Sequence, residues 1–331
     1  MIDIDGSYRE GGGQIVRTAT GLSSFTGKDV RIRNIRANRS TPGLRPQHVK
    51  GIEALAEFCD AELEGVEVRS ERVVFRPGEI KSRDLEVDIG TAGSVTLLLQ
   101  SLILPVMKGE EVKITVKGGT DVKWSPPIDY LRGVLMPILE DHGYRASIEV
   151  EKRGFYPEGG GKAVFHFHGA DMEEFDLTTK GEIQEVGGVS YASKHLEDAS
   201  VADRQAESAR KALWEEFEKS ADIKTEYCEA RCPGSGIQLW LKTEDSVIGG
   251  NGLGEKGKPS ERVGKEAAKD LLRNSSGAVD RYAGDQLLPF LAVSGGKIKP
   301  SEITEHSLTN QDIIERFMDV EFGGKDGEIS V

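Results

Sequence analysis

Ser94-Val95-Thr96-Leu97-Leu98-Leu99-Gln100-Ser101-Leu102-Ile103-Leu104-Pro105-Val106-Met107 is an apolar run of helical length, and the segments downstream of it decide the fold. Gly109 ends the run, Val112 to Val116 alternates like a strand, Pro126-Pro127 turns the chain, and Ile128 to Glu140 reads as a second helix. The same plan lies upstream: helix Gln14 to Ser24, Gly27, strand-like Val30 to Ile35, a turn from Pro42 to Pro46, helix Val49 to Cys59, then a strand. A third copy runs from Asp285 to Val293, through Gly295 and a strand over Ile298 to Ile303, to a helix from Thr309 to Met318. A small sheet with two helices cannot bury its apolar face alone, so three units are expected to share one core.

Residues 183–277 break the plan. They hold a helix over Ala202 to Lys219, strands over Gly236 to Lys242 and Ser246 to Gly249, and a helix over Ser260 to Arg273. Gly187-Gly188 and Asn274-Ser275-Ser276-Gly277 read as the boundaries. The expected fold is therefore α/β (α+β): a large three-unit domain of residues 1–182 and 278–331, with a smaller α/β domain of residues 183–277 inserted.

The chain has 331 residues, 37% hydrophobic and 30% charged, a globular balance. A net charge of −13 argues against a protein that coats nucleic acid through a general basic surface. It leaves room for a local basic pocket: Lys28, Arg31, Arg33, Arg36, Arg39, Arg45 and Lys50 stand against Asp29 alone, unless they simply face water. Cys59, Cys228 and Cys232 make no disulfide framework, and the CxxxC pair lacks the partners of a zinc site. Met1-Ile2-Asp3-Ile4-Asp5 has neither basic start nor apolar core, and Val95 to Met107 is too short to span a bilayer, so a cytoplasmic protein with no membrane partner is expected.

The chemistry-bearing candidate is His306, in Thr304-Glu305-His306-Ser307-Leu308-Thr309-Asn310. Imidazole is nucleophilic near neutral pH. Two Glu-Gly-Gly-Gly loops (Glu10 to Gly13 and Glu158 to Gly161), the arginine-dense stretch ending at Gln47-His48, and Tyr282-Ala283-Gly284-Asp285-Gln286 supply what a polyphosphate needs around it. Together they suggest a histidine that attacks a nucleotide phosphate. In the first loop, consecutive glycines before a helix let backbone N–H groups converge on an anion, and Glu10 could hold a metal. Gly252-Leu253-Gly254-Glu255-Lys256-Gly257 matches GxGxxG, but no acidic strand end follows its helix, so it reads as a solvent loop rather than a dinucleotide site. His166 and His168 alternate with Phe165 and Phe167 and read as strand surface.

Arg153-Gly154-Phe155-Tyr156-Pro157-Glu158-Gly159-Gly160-Gly161 matches the RGxxPxGGG signature of the RNA 3′-terminal phosphate cyclases, which the chain resembles over nearly its whole length. The likeness continues through Glu10-Gly11-Gly12-Gly13-Gln14, Pro42 to His48, Gly118-Gly119-Thr120-Asp121, Tyr282 to Gln286 and His306 to Asn310. The resemblance implies a large domain of three units like the C-terminal domain of translation initiation factor 3, with a smaller inserted domain. It implies ATP, a divalent metal (Mg or Mn) and an RNA with a 3′-phosphate end as ligands. The implied reaction makes an enzyme-histidyl-AMP, then RNA(3′)pp(5′)A, then a 2′,3′-cyclic phosphate. By this likeness His306 is the nucleophile, Asp285 orients it, Glu10 is the metal-associated carboxylate, and Arg17 completes the catalytic set. Gln100 and Tyr282, Ala283, Gly284, Asp285 and Gln286 match ATP-binding positions, and Pro126 and Tyr130 match positions packing on adenine. Arg17, Arg36, Arg39 and Gln47 match positions around the phosphates, with His48 beside them. Glu305 departs from the pattern: beside the nucleophile it raises basicity or repels polyphosphate, depending on where it points.

Two other readings stand beside this one. A non-catalytic cyclase-like protein acting in ribosome biogenesis shares the fold but lacks the histidine, and covalent labelling by ATP separates the two. Enolpyruvyl transferases are also built of repeated α/β units and need phosphoenolpyruvate instead.

Overall fold

The computed structural model describes all of residues 1–331. Its first unit runs β1 (Ile2–Asp5), α1 (Gly13–Thr26), β2 (Val30–Arg33), α2 (Pro46–Cys59), β3 (Glu62–Glu64) and β4 (Val73–Arg76). β1 and β2 are parallel, as a helical crossover allows, and the sheet order is β1-β2-β4-β3. Val30 and Ile32 are buried while Arg31 and Arg33 turn outward and share Asp3 of β1.

The second unit repeats the path with β5 (Leu85–Asp88), α3 (Val95–Leu102), β6 (Val112–Gly118), α4 (Ile128–Tyr130), α5 (Met136–Glu140), β7 (Tyr144–Lys152) and β8 (Gly161–Ala170). α4 and α5 are joined by a wide turn over Leu131–Leu135 into the single rod expected over 128–140. The apolar run at 94–107 is not one helix: α3 stops at Leu102, and Pro105 opens a separate tight turn, Pro105–Lys108. The order β5-β6-β8-β7 again opens with a parallel pair. On β8, Phe165 and Phe167 enter the core while His168 faces out to Glu111 at 2.9 Å.

The third unit starts earlier than the sequence pattern implies. Its first strand is β9 (Phe175–Leu177), which pairs in parallel with β14 (Gly296–Ile298), and β14 pairs with β15 (Ile329–Ser330). The residues between are a crossover into which a second sheet has been spliced, so the unit begins before residue 183. A three-residue strand carries too little periodicity to be seen. The strand expected over Ile298 to Ile303 stops at Ile298, since Pro300 cannot donate to a ladder. A 58-residue core links the three units, including Ile15, Leu55, Leu99, Ile114, Tyr144, Phe167, Phe290 and Ile314.

The spliced sheet contains β10 (Ile183–Ser193), β11 (Ala221–Cys228), β12 (Ser235–Thr243) and β13 (Val247–Leu253), in the order β11-β10-β12-β13. α6 (Val201–Phe217) and α7 (Ser260–Asn274) cover it over a separate 14-residue core. Gly187-Gly188 is no boundary: both residues lie inside β10, paired to β12. Nor is Gly252 in a solvent loop. It sits in β13 opposite Ile237, and a Cβ there would lie 2.6 Å from the Val263 carbonyl of α7. Of the glycines in this GxGxxG, Gly252 serves close helix-on-strand packing, Gly254 lies against Ser235, and Gly257 takes a positive φ in the turn. No helix of the chain is long and apolar enough to cross a membrane.

The signature at 153–161 builds a joint. Arg153, 3% exposed, meets Asp121 at 3.3 Å, Asp129 of α4 at 2.7 Å and Glu226 of β11, and lies 3.8 Å from the Tyr191 ring centroid on β10. Gly154 and Gly161 touch backbone to backbone, and Arg231 covers Gly160. The second glycine loop therefore packs sheet against sheet, against the expectation of a second phosphate cradle. Substituting Gly252→Ala should destabilise the fold by about 1–3 kcal/mol through overpacking against α7; a denaturant midpoint equal to wild type would contradict this packing role.

Candidate active site

α10 (Glu305–Phe317) starts four residues before the expected Thr309, because the Thr304 hydroxyl accepts the Ser307 N–H at 3.1 Å while Ser307 reaches back. That cap places His306 in the first turn, where unpaired N–H groups favour an anion. The imidazole lies between two carboxylates: Nε2 is 2.7 Å from Glu10 Oε2, and Nδ1 faces Asp285 Oδ2 at 3.4 Å. The His306 side chain is 43% exposed, open enough for a substrate to reach. Gln14 of α1 donates to the His306 carbonyl at 2.8 Å, and Asn310 donates to the Asp285 carbonyl at 3.1 Å, so α1 and α10 hold the pair from both sides.

Hydrogen bonding to Asp285 raises the His306 pKa against the effect of burial, and the charges of Asp285 and Glu10 add to the rise. Burial also raises the pKa of Asp285, opposed by His306 and Arg17. Pairing dominates at the histidine and desolvation at the acid, and both favour a shared proton on this side of the ring. Arg17 of α1 is the cation behind Asp285; burial lowers its pKa to about 10, so it stays charged at neutral pH. Glu305 points away from His306: Arg9 takes its carboxylate at 3.1 Å and reaches Asp312 at 3.2 Å.

The Tyr282–Gln286 run forms the short helix α8 (Ala283–Gln286), followed by α9 (Leu288–Ser294). Gln286 accepts from Gln100 of α3 at 2.7 Å, which joins two expected nucleotide residues beside Arg17 and Asp285 around one cavity. Ala283 and Gly284 are buried, and Gly284 packs on Pro300. Tyr130 does not offer the open aromatic face expected of it. It is fully buried, its hydroxyl donates to Asp280 at 2.8 Å, and its ring lies edge-on to Tyr282 at 5.9 Å. Tyr282 and Pro126 are the partly exposed members of that group.

The basic stretch divides. Arg31 and Arg33 pair with Asp3, Lys28 donates to the Phe317 carbonyl, and Lys50 pairs with Glu53; these four fit the water-facing reading. Arg36 donates to the Thr41 and Gly43 carbonyls at 2.7 and 2.9 Å, shaping the turn. Arg39 reaches Glu10 at 3.8 Å and stands beside Gly12. Gln47 accepts the Ser94 N–H at 2.9 Å. His48 is not a cationic phosphate ligand here. Burial, with Arg17, Arg36 and Arg45 near it, drops its pKa to about 3, and its Nδ1 accepts the Arg45 N–H at 3.0 Å. A Cβ on Gly13 would collide with His48 Nε2, so Gly13 is required by this neutral ring rather than by direct approach to a phosphate.

Sequence reasoning missed Asp280. Its carboxylate accepts the Tyr282 and Ala283 N–H groups at 2.9 and 2.8 Å, capping α8, and also Gly249 N–H at 2.9 Å. An Asp just ahead of a helix start is a cap signal that could have exposed it. No cluster of three His, Cys, Asp or Glu side chains could by itself hold a metal.

A family model of the RNA 3′-terminal phosphate cyclase matches residues 8–323. RNA 3′-terminal phosphate cyclase of Thermococcus onnurineus is 49% identical over 321 residues, 96% of this chain and 94% of that protein. The Pyrococcus furiosus and Methanopyrus kandleri proteins of the same name are 48% and 45% identical, each covering 99% of this chain and 96% and 97% of their own lengths. This chain belongs to the RNA 3′-terminal phosphate cyclase family.

The two site histidines should titrate in opposite senses. A raised folded pKa makes the contribution of His306 to stability complete below about 6.5 and lost as pH rises through its folded value. The depressed pKa of His48 does the reverse, costing stability as pH falls from about 6.5 towards about 3. Imidazole NMR titration should show His306 protonating above about pH 6.5, shifting down in Asp285→Asn, and His48 still neutral at about pH 5; a protonated His48 at that pH would refute its buried role.

Proposed function

We propose that this protein converts an RNA 3′-terminal phosphate to a 2′,3′-cyclic phosphate using ATP, with His306 as the nucleophile. The observation that carries the reading is the half-exposed His306 between Glu10 and Asp285 at a capped helix start, in a chain of this family. Asp285 favours the proton on Nδ1, and Glu10, 2.7 Å from Nε2, takes the Nε2 proton as an incoming polyphosphate displaces it, which leaves the Nε2 lone pair free. Nε2 then attacks the α-phosphorus: an N–P bond forms and the P–O bond to pyrophosphate breaks. The 3′-phosphate of the RNA takes AMP from the histidine, forming a P–O bond as the P–N bond breaks. The 2′-hydroxyl, losing its proton, attacks the 3′-phosphorus and AMP leaves. Activation is required because a ribose hydroxyl does not displace oxide from a monoester at a useful rate.

Arg17 and Arg39 supply positive charge, with Arg36 and Gln47 shaping the turn and the floor beside them. His48 acts through Gly13 and α1 rather than on phosphate. Gln100, Gln286, Tyr282 and Pro126 form the nucleotide side, with Tyr130 a buried support behind Tyr282. Glu10 is one half-exposed carboxylate without a second beside it, which suits a Mg or Mn ion completed by phosphate oxygens. Such an ion would neutralise phosphate charge when bound. Residues 183–277 are proposed as the inserted domain, and the three free cysteines accord with a cytoplasmic setting. The non-catalytic alternative is disfavoured because His306, Glu10 and Asp285 converge.

His306→Ala should abolish covalent labelling by α-labelled ATP while circular dichroism stays native, and the wild-type label should be acid-labile and alkali-stable, as a phosphoramidate is. Undiminished labelling of the variant would end the assignment. Arg39→Ala should weaken handling of a 3′-phosphorylated RNA by about 1.5–3 kcal/mol, the range for a lost charged hydrogen bond; kcat/KM near wild type would return Arg39 to the solvated surface.

A further inference from the structure

We infer that Trp124, Tyr156 and Arg231 form a platform for the nucleotides that precede the 3′ end of a single-stranded RNA. The inference rests on the reading of the site as an RNA-end processor, and it assigns a role to the spliced sheet. Trp124 is 94% exposed and Tyr156 75% exposed, the two most exposed aromatic side chains of the chain. One exposed ring needs no explanation, but two on joined loops make an exposed apolar patch of the kind that marks a contact surface. The two rings stand on loops that are fastened together: the backbone N–H groups of Thr120 and Asp121 donate to the Gly154 carbonyl at 2.9 and 3.2 Å, and Asp121 bridges to Phe155.

The third member comes from the other sheet. Arg231 lies in the turn between β11 and β12, is exposed, and crosses Gly160, where a Cβ would collide with its Nε. No carboxylate pairs with it, whereas Lys123 on the Trp124 loop is taken by Glu255 at 2.7 Å. Glu158 is the acid on the Tyr156 loop. The platform is continuous with the site. Gly159 rests on Ala92, and Gly93 rests on Gln47, whose Oε1 holds the Ser94 N–H at 2.9 Å. A strand whose terminal phosphate lies near Arg39 and Gln47 can therefore run over residues 91–93 onto the rings.

A net charge of −13 repels a polyanion at long range, so the grip must come from short-range stacking and one guanidinium rather than from a basic groove. Stacking accepts any base, which predicts little sequence preference.

The test is fluorescence anisotropy with a ten-nucleotide and a two-nucleotide 3′-phosphorylated RNA. The Trp124→Ala/Tyr156→Ala double variant should weaken the longer RNA about tenfold or more and leave the dinucleotide unchanged. Tyr156→Phe should keep wild-type affinity. Arg231→Ala should reduce the salt slope by about 0.7, the value for one phosphate contact on a single strand. Equal affinity of wild type for both RNAs, or equal loss on both in the double variant, would overturn the platform. So would a concentration-dependent dimer that the double variant abolishes without changing RNA affinity. Binding needs no turnover, so a protein that discriminates the two RNAs but cyclises neither would count against the cyclase reading alone.

Discussion

Asp280 is a fully buried carboxylate with four donors and no cation against it. Tyr130 reaches it from α4, Gly249 from β13, and Tyr282 and Ala283 from the start of α8. Burial raises its pKa to about 6 while those hydrogen bonds oppose the rise, so it is mostly ionised at neutral pH. An unpaired buried charge is tolerable only where its lone pairs are satisfied, and here satisfying them requires three separate elements to meet. The second unit, the spliced sheet and the segment that carries Asp285 are fixed on one group. Asp285 then fixes one nitrogen of His306. The position of the His306 ring is thus set two steps away, by a residue that never touches it.

A second charged knot works at the other contact between sheets. Arg153 takes Asp121, Asp129 and Glu226 under the Tyr191 ring. Removing one partner of such a buried cluster leaves an uncompensated charge, which costs more than the cluster contributes. Together the two knots explain why glycines crowd both places. Gly249 lies against the Tyr130 ring, and Gly154 and Gly161 meet backbone to backbone, so any Cβ would push the polar partners apart.

The large features of the fold were legible because they rest on long periodic runs. α1, α2, α6 and α7 stand within a few residues of where apolar spacing puts them. What was not legible is short or non-local. β9 has three residues, and its partner lies beyond the spliced sheet. β10 was missed because Gly187-Gly188 interrupts its alternation, whereas β11 alternates from Ala221 to Tyr227 and its signal was overlooked. At the site, His306, Glu10 and Asp285 were each suspected from sequence and the structure brings them together. His48 and Tyr130 are buried where the sequence reading expected groups open to a ligand. A residue type suited to phosphate or adenine says nothing about burial, and both side chains turn inward to satisfy backbone or carboxylate. Glycine motifs misled in the same way, since close packing and anion binding demand the same missing Cβ.

The charge around His306 is arranged so that opposite needs are met on different sides of one ring. The nucleophilic role proposed for His306 needs a free lone pair, yet two neighbouring carboxylates favour the protonated form. A polyphosphate needs positive potential, yet the chain is acidic overall. Arg9 removes Glu305 from the approach by holding its carboxylate outward, leaving the first turn of α10 with its N–H groups and not a third acid. Glu10 is the more exposed of the two flanking acids and, in the proposed reaction, the one an incoming anion would displace, while the less exposed Asp285 is backed by Arg17. Under the proposed reaction, arriving phosphates would displace Glu10 together with the Nε2 proton and spare Asp285 at Nδ1, so that binding itself would free the lone pair of an aimed nucleophile.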